Sequence, residues 1–284
     1  MSDLLSVVVK VRAQMEAALP PHTGRMIYGI WLRWLEARDP VLAKHWHDSQ
    51  GLKPYTCSSL ICPNSRIIQC GDEAWFRITT LEKGVTSILY DYLERPPHAI
   101  IIGETAFDVL SITSDSQQHS WAGSKTYEDI AAPHLLTGSN PERRLKLEFA
   151  APVVFNQNGM NMPFPLPELV FGSLLDKWNA FSPISIHQDI REFCYSSLGI
   201  SHFNLRSQRV QMLEQNQPIG GRGDVQYVVT RYDRYWTNII QLLADYAFYA
   251  GVGRFTALGL GQARHLPMLI HQTAKKHFQV IDSE

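Results

Sequence analysis

Ala250-Gly251-Val252-Gly253-Arg254-Phe255-Thr256-Ala257-Leu258-Gly259-Leu260-Gly261-Gln262 is the stretch on which the fold turns. It holds two Gly-x-Gly pairs around one arginine. An apolar amphipathic helix, Trp236 to Tyr249, precedes it, and a strand over about Ala263 to Ile270 follows. Glycine lacks a Cβ, so its backbone enters positive φ and approaches other backbone closely. Four such residues between 251 and 261 predict a loop that presses its N–H groups on a partner such as phosphates. The competing structural reading is a helix C-cap at Gly251 followed by a kinked strand. The common nucleotide motifs do not fit. A P-loop needs Lys and then Ser or Thr after its last glycine, and here Gln262-Ala263 follow. The third glycine of a dinucleotide fingerprint would fall on Thr256, and the helix lies before the glycines, not after them.

Working outward, the loop closes the second of two similar units. Residues 4–12 read as a strand and Arg25 to Asp39 as a helix, with Ile27, Ile30, Trp31, Trp34 and Leu35 on one face. A polar loop carries His45, His47, Asp48, Ser49 and Gly51. Strands follow at Lys53 to Ser58 and Glu73 to Thr80, then a helix from Gly84 to Leu93 and apolar β-rich runs at Ala99 to Ile102 and Phe107 to Thr113. After the polar stretch Ser114 to Asn140 the pattern restarts. Arg144 to Phe155 is an alternating strand and Leu166 to Phe181 a helix. Ile190 to Ser197 and Phe203 to Met212 read as strands, Gln215 to Gly223 as a turn, and Val225 to Arg231 as a strand before the last helix. The doubled β-α-β-β-α-β order predicts an α+β protein of tandem ferredoxin-like domains, 1–130 and 131–284.

The 284 residues and 45% hydrophobic content suit a folded globular chain. No apolar run approaches the ~18 residues of a membrane span. The N-terminus lacks the basic n-region of a signal peptide. Cys57, Cys62, Cys70 and Cys194 show no repeating spacing and predict free thiols in a reducing cytoplasm. The net charge of −1 argues against a uniformly basic nucleic-acid binder. Its distribution argues the other way. Between residues 191 and 264 eight arginines face five carboxylates, and no lysine occurs. Arginine suits bidentate phosphate contacts and stacking.

His47 and Lys53 lie six apart, on either side of Gly51. An imidazole accepts a ribose 2′-hydroxyl proton near neutral pH. An ammonium stabilises charge growing on a phosphorane. The pair suffices for metal-free RNA transesterification, because the nucleophile belongs to the substrate. His45, His47, Cys57 and Cys62 fit no common zinc spacing, and no Gly-x-Ser-x-Gly elbow or catalytic cysteine signature occurs. No metal and no cofactor is expected.

The glycine loop, the segment His47 to Thr56 with Lys53-Pro54-Tyr55-Thr56, and the doubled topology together resemble the CRISPR-associated endoribonucleases of the RAMP superfamily, which cut precursor crRNA within its repeats. The Pro-rich run Phe155 to Pro167 ahead of Leu169 to Asn179, and Gly220-Gly221-Arg222-Gly223 ahead of Val225 to Val229, extend the likeness over most of the chain. The resemblance implies metal-independent cleavage giving 2′,3′-cyclic phosphate and 5′-hydroxyl ends. His47 would be the general base or acid, with His45 as its rival, Lys53 the electrostatic stabiliser, and Tyr28 of the first helix a third member. It also implies a prokaryotic cytoplasmic protein, a monomer or homodimer, whose partners are CRISPR repeat RNA and other Cas proteins of an effector complex. Arg206, Arg209, Arg222, Arg254 and Arg264, with Gly251, Gly253, Gly259 and Gly261, are the expected RNA contacts. Tyr227, Tyr232, Tyr235 and Trp236 are candidate stacking platforms. Two other readings remain: a non-catalytic crRNA-binding subunit on the same fold, which would bind repeat RNA without cutting it, and a nucleotide-binding regulator, which would bind mononucleotides and not RNA.

Overall fold

The computed structural model describes residues 2–62, 67–138, 140–212 and 217–268. The first unit is built on β1 (Leu4–Ala13), whose run of valines is buried and whose edges are both paired. After β2 (Ala17–Ala18) come α1 (Gly24–Arg38), α2 (Pro40–Asp48), β3 (Tyr55–Cys57), β4 (Ile67–Ile68), β5 (Glu73–Thr80), α3 (Lys83–Glu94), β6 (Ala99–Ile102) and β7 (Thr105–Thr113). The antiparallel order is β3-β5-β1-β7-β6. Its first four strands keep the ferredoxin order, in which α1 and α3 make the two crossovers. The small pair β2–β4 lies off this sheet. β8 (Gly123–Lys125) adds to the N-terminal end of β1 and leads into α4 (Tyr127–Leu135).

The second unit repeats the plan with β9 (Arg144–Val153), the hairpin β10 (Phe155–Gln157) and β11 (Met160–Met162), α5 (Pro167–Phe181), α6 (Ile190–Ser197), β12 (Leu198–Arg209), β13 (Ile219–Val229), α7 (Arg234–Ala250) and β14 (Ala263–Leu266). The order β12-β13-β9-β14 is again ferredoxin-like. Its core joins Leu145, Leu147, Phe149, Val225, Tyr227 and Val229 of the sheet to Phe171, Trp178, Ile240 and Tyr246 of the helices. Leu4, Leu81, Tyr127 and Ile130 join that same core, so the two units are packed together.

Three local expectations are corrected. Ile190 to Ser197 is helix α6, not a strand: Ile190, Phe193, Cys194 and Ser197 are the buried positions, a helical period. The polar segment around His45 and His47 is helix α2 rather than loop. Residues 219–223 are strand rather than turn, because Gly220 to Gly223 pair along β12. Residues 215–216 of the expected turn and 269–270 of the expected last strand lie outside the described residues. β14 ends at Leu266.

Candidate active site and nucleic-acid interface

Helix α2 exists because its ends are secured, not because it is apolar; only Ala43 is buried. Asp39 accepts the Leu42 N–H (2.9 Å) and Pro40 occupies the first turn. At the other end the Lys53 ammonium donates to Ser49 O (2.7 Å), Ser49 Oγ (2.9 Å) and Trp46 O. Burial lowers the Lys53 pKa, and the nearby Asp48 charge opposes that shift. Lys53 therefore closes the C-terminal end of the helix that carries His45 and His47, both of which are exposed. All three donors of the ammonium are already engaged, so the structure gives Lys53 a positioning geometry rather than a hand free for a phosphorane. Tyr28 is half-buried on α1 with its ring stacked on Tyr55 at 6.3 Å, and burial pushes its hydroxyl pKa up.

The glycine-rich loop is a clasp. Gly251, Gly253, Gly259 and Gly261 have φ of 61°, 76°, 97° and 68°, the left-handed region that favours glycine. A Cβ on Gly259 would lie 2.8 Å from both the Gly24 Cα and the His22 Cε1, so the loop touches the start of α1 backbone to backbone. The expectation that the loop offers its N–H groups to phosphates is not how it is built. Gly251, Val252, Gly253, Arg254 and Gly261 donate to Ala247 O, Gly261 O, Ser173 Oγ, Val154 O and Pro152 O. Beneath the loop sits Lys177 of α5, which the sequence reading missed. Its buried ammonium donates to Ala250 O (2.7 Å), Gly251 O (3.2 Å) and Thr256 Oγ1 (3.0 Å), and burial lowers its pKa to about 7. A lone lysine on the apolar stripe of Val170, Leu174 and Trp178 was the available signal.

Between the two sheets lies a cleft of about 480 Å³. His22, Ser59, Arg77, Trp121, Gln208 and Arg222 line it, among others. His22, also missed, shares a hydrogen bond through Nε2 with Leu258 O (2.6 Å) and through Nδ1 with Ser59 Oγ (3.2 Å). Burial lowers its pKa, against the opposing Leu258 contact. Nε2 therefore holds the clasp and Nδ1 ties the ring to Ser59 of the first unit. Arg77 is fully enclosed. It donates to Ser6 Oγ (2.7 Å), Gln262 Oε1 (2.8 Å) and Phe248 O, and it lies over the rings of Trp121 (4.9 Å) and Phe248 (4.3 Å).

Arg206, Arg209 and Arg222 are exposed on the β12–β13 hairpin, with Arg206 directly opposite Arg222. Arg254 is exposed over Phe255. Arg264 is occupied, paired to Glu148 at 2.5 Å and stacked on Trp121. Of the aromatic candidates, Tyr227 is core and Trp236 half-buried, whereas Tyr232 and Tyr235 are exposed. The four cysteines are free thiols. Among the described residues no helix is long and apolar enough to cross a membrane.

Two helix-backed antiparallel sheets in ferredoxin order, clasped by a glycine-rich loop, define the tandem ferredoxin-like, RAMP-type class. The family model for the CRISPR-associated endoribonuclease Cas6 matches residues 147–263. The Cas6 TTHB231 product complex is 26% identical, with a TM-score of 0.79 over 93% of this chain and 100% of that one; TTHB231 is a Thermus thermophilus protein. The Cas6 TTHA0078 product complex is also 26% identical, with a TM-score of 0.75 over 93% of this chain and 99% of that one. A structure described as an RAMP protein binding different RNA substrates shares the fold, with a TM-score of 0.60 at 16% identity over 93% of this chain and 100% of that one. No curated protein matches the sequence. The chain is thus similar to Cas6, the CRISPR-associated endoribonuclease, in sequence over residues 147–263 and in fold over 93% of its length.

Proposed function

We propose that the chain cuts CRISPR repeat RNA by attack of the substrate's own 2′-hydroxyl, with His47 as the base and no metal taking part. The O2′–P bond forms, the P–O5′ bond breaks, and the 2′-hydroxyl proton passes to the imidazole. The 5′-oxygen leaves as a hydroxyl after protonation by solvent, and the other end is a 2′,3′-cyclic phosphate. One observation carries the choice of histidine. His22 has both ring nitrogens engaged, one by Leu258 of the clasp and one by Ser59, while His47 is exposed on a short helix whose end Lys53 fixes. A proton acceptor needs a nitrogen that reaches the substrate. Lys53 acts here by holding that turn, with its charge close by. His45 lies on the same helix, in a shallow depression with Pro40, Val41, Lys44, Asp48 and Ser49. Tyr28 belongs to the neighbouring helix. Arg206, Arg209, Arg222 and Arg254 supply phosphate contacts, and the glycine loop supports them as a scaffold.

The relatives' product complexes support the reading, as does the exposed arginine hairpin. The test uses repeat RNA from the chain's own array in excess chelator, followed by analysis of the product ends. Full-rate cleavage to cyclic-phosphate ends is expected, with an inflection in the imidazole range of the pH–rate profile. His47→Ala should cut at least a hundredfold more slowly while still binding RNA, and His45→Ala should retain most activity. Loss of cleavage on chelation would remove the mechanism, and an active His47→Ala would move the role to another residue. Wild-type protein that binds the RNA and never cuts it would leave the non-catalytic subunit reading.

A further inference from the structure

We propose that the chain carries a second RNA-binding site at the end of the second sheet remote from the cleft. Arg143, Arg144, Arg231 and Arg234 with Tyr232 and Tyr235 form it, and it takes phosphates and an unpaired base of the same RNA molecule. The proposal rests on the RNA-processing reading above.

Three element ends meet there. β9 begins at Arg144, which pairs with Val228 near the end of β13, and the Val229 N–H donates to Arg143 O at 2.7 Å. The chain then runs through Arg231 and Tyr232 into the first turn of α7. All six side chains are exposed. The Arg143 guanidinium stands 4.6 Å from the Tyr232 ring centre. Arg234 donates to Thr137 O at 3.3 Å. Four guanidinium groups face the carboxylates of Glu142 and Asp233, a local excess of two in a chain of net charge −1. Asp233 is occupied as the cap of α7, accepting the Trp236 N–H at 2.9 Å. Tyr235 leaves 54% of its surface to solvent, which makes its ring a platform for a base.

The sheet itself links this end to the cleft. Leu145, Leu147, Phe149, Val225, Tyr227 and Val229 point into the helix-covered core, so the alternating residues lie on the open face. Directly paired residues share a face. The open rows are therefore Arg206 with Arg222, then Asn204 with Asp224 and Glu148, then His202 with Gln226 and Lys146, then Arg144. The carboxylates on the track are neutralised, Asp224 by Lys146 at 3.0 Å and Glu148 by Arg264. Among the described residues a polar strip thus runs from the cleft to the arginine cluster, with both of its carboxylates paired. Its length follows twice over. The 17 residues of α7 span about 25 Å, and the eight steps of β9 from Arg144 to Pro152 about the same. This continuity favours an extended polyanion over a protein partner, since arginine and tyrosine alone suit either.

The test measures binding of the full repeat RNA across a range of salt. The proteins are the wild type, the triple variant Arg143→Gln, Arg144→Gln, Arg231→Gln, and Tyr235→Ala, each checked for an unchanged melting temperature. Each lost phosphate contact lowers the steepness of log K against log salt by about 0.7–0.9. The triple variant should therefore lose about two units of slope and bind at least tenfold more weakly, and Tyr235→Ala should bind several-fold more weakly. A shortened RNA that cannot span about 25 Å should bind the wild type and the triple variant equally. Equal affinity and slope for the full RNA, with the wild type still cleaving, would overturn this site and leave the enzyme reading intact. So would loss of binding to another protein component with RNA affinity unchanged. Wild-type protein that neither binds nor cuts repeat RNA would overturn the enzyme reading itself.

Discussion

A buried ammonium with only neutral acceptors marks Lys177 as a residue kept for geometry. Its three donors reach the last carbonyls of α7 and the Thr256 hydroxyl, so it draws the end of the helix and the glycine loop to one point. The C-terminal end of a helix favours a cation, which offsets part of the burial penalty. Replacing it by methionine strands these oxygens, at a cost of about 1–3 kcal/mol for each one left without a donor. The pH dependence has a definite sign. Burial holds the folded pKa at about 7, below the ordinary 10.5. Lys177 therefore contributes most stability at high pH, and that contribution falls as pH drops from the unfolded value toward 7. Urea unfolding of wild type and Lys177→Met between pH 7 and 10 should show a difference that grows with pH in favour of the wild type. A difference independent of pH would mean that the folded lysine titrates normally.

Elements show where the sequence was legible and where physics hid it. Both β-α-β-β-α-β runs could be followed because their central strands and long helices carry strong periodicity; Ile27, Ile30, Trp31, Trp34 and Leu35 are the buried face of α1 as expected. α2 was not legible by that rule, since it buries one residue and depends on Asp39 and Lys53, which flank it. α4 was masked by Pro133 in its last turn, although the Thr126–Asp129 capping box is a readable start signal. α6 is short enough to pass for a strand, and only the i, i+3, i+4 spacing of its buried Ile190, Phe193 and Cys194 marks it as helix. The β12–β13 hairpin carries its own prediction. Arg206 and Arg222 are directly opposite, and like charges in that position are unfavourable without an anion. Arg206→Gln should leave the melting temperature of the free protein unchanged or raised, weaken repeat-RNA binding several-fold, and lower the salt slope by about one. A drop in melting temperature with unaltered RNA affinity would show that the pair is structural.

At the scale of the whole molecule, the groups that join the two sheets were the least legible. Each is an isolated polar residue in an apolar context, with partners far away in sequence. Arg77 shows why: its side chain meets Ser6 of β1, Phe248 of α7 and Gln262 beyond the glycine loop, contacts that no local pattern encodes. Burial lowers its pKa to about 9, with the Arg264 charge acting in the same direction and Tyr249 against it. Among the described residues no carboxylate pairs with it, so neutral oxygens and the faces of Trp121 and Phe248 hold the charge. Such a residue fixes how the two sheets meet across the cleft. Arg77→Met keeps much of the volume and removes the donors, leaving buried acceptors on both sides of the junction. The loss should be about 3 kcal/mol or more, since each stranded group costs about 1–3 kcal/mol. Where the loss falls matters more than its size. Neither hydrophobic core contains the guanidinium, so each should persist while the junction loosens. Hydrogen exchange should accelerate at Val252 and Gly261, whose amides close the clasp, and remain slow in the paired centre of β1 and β5. Single-turnover cleavage should slow, because RNA that spans both sheets no longer meets them at a fixed spacing. Uniform acceleration of exchange through β1, β5 and the clasp would show instead that Arg77 supports the fold as a whole and has no particular role in aligning the cleft.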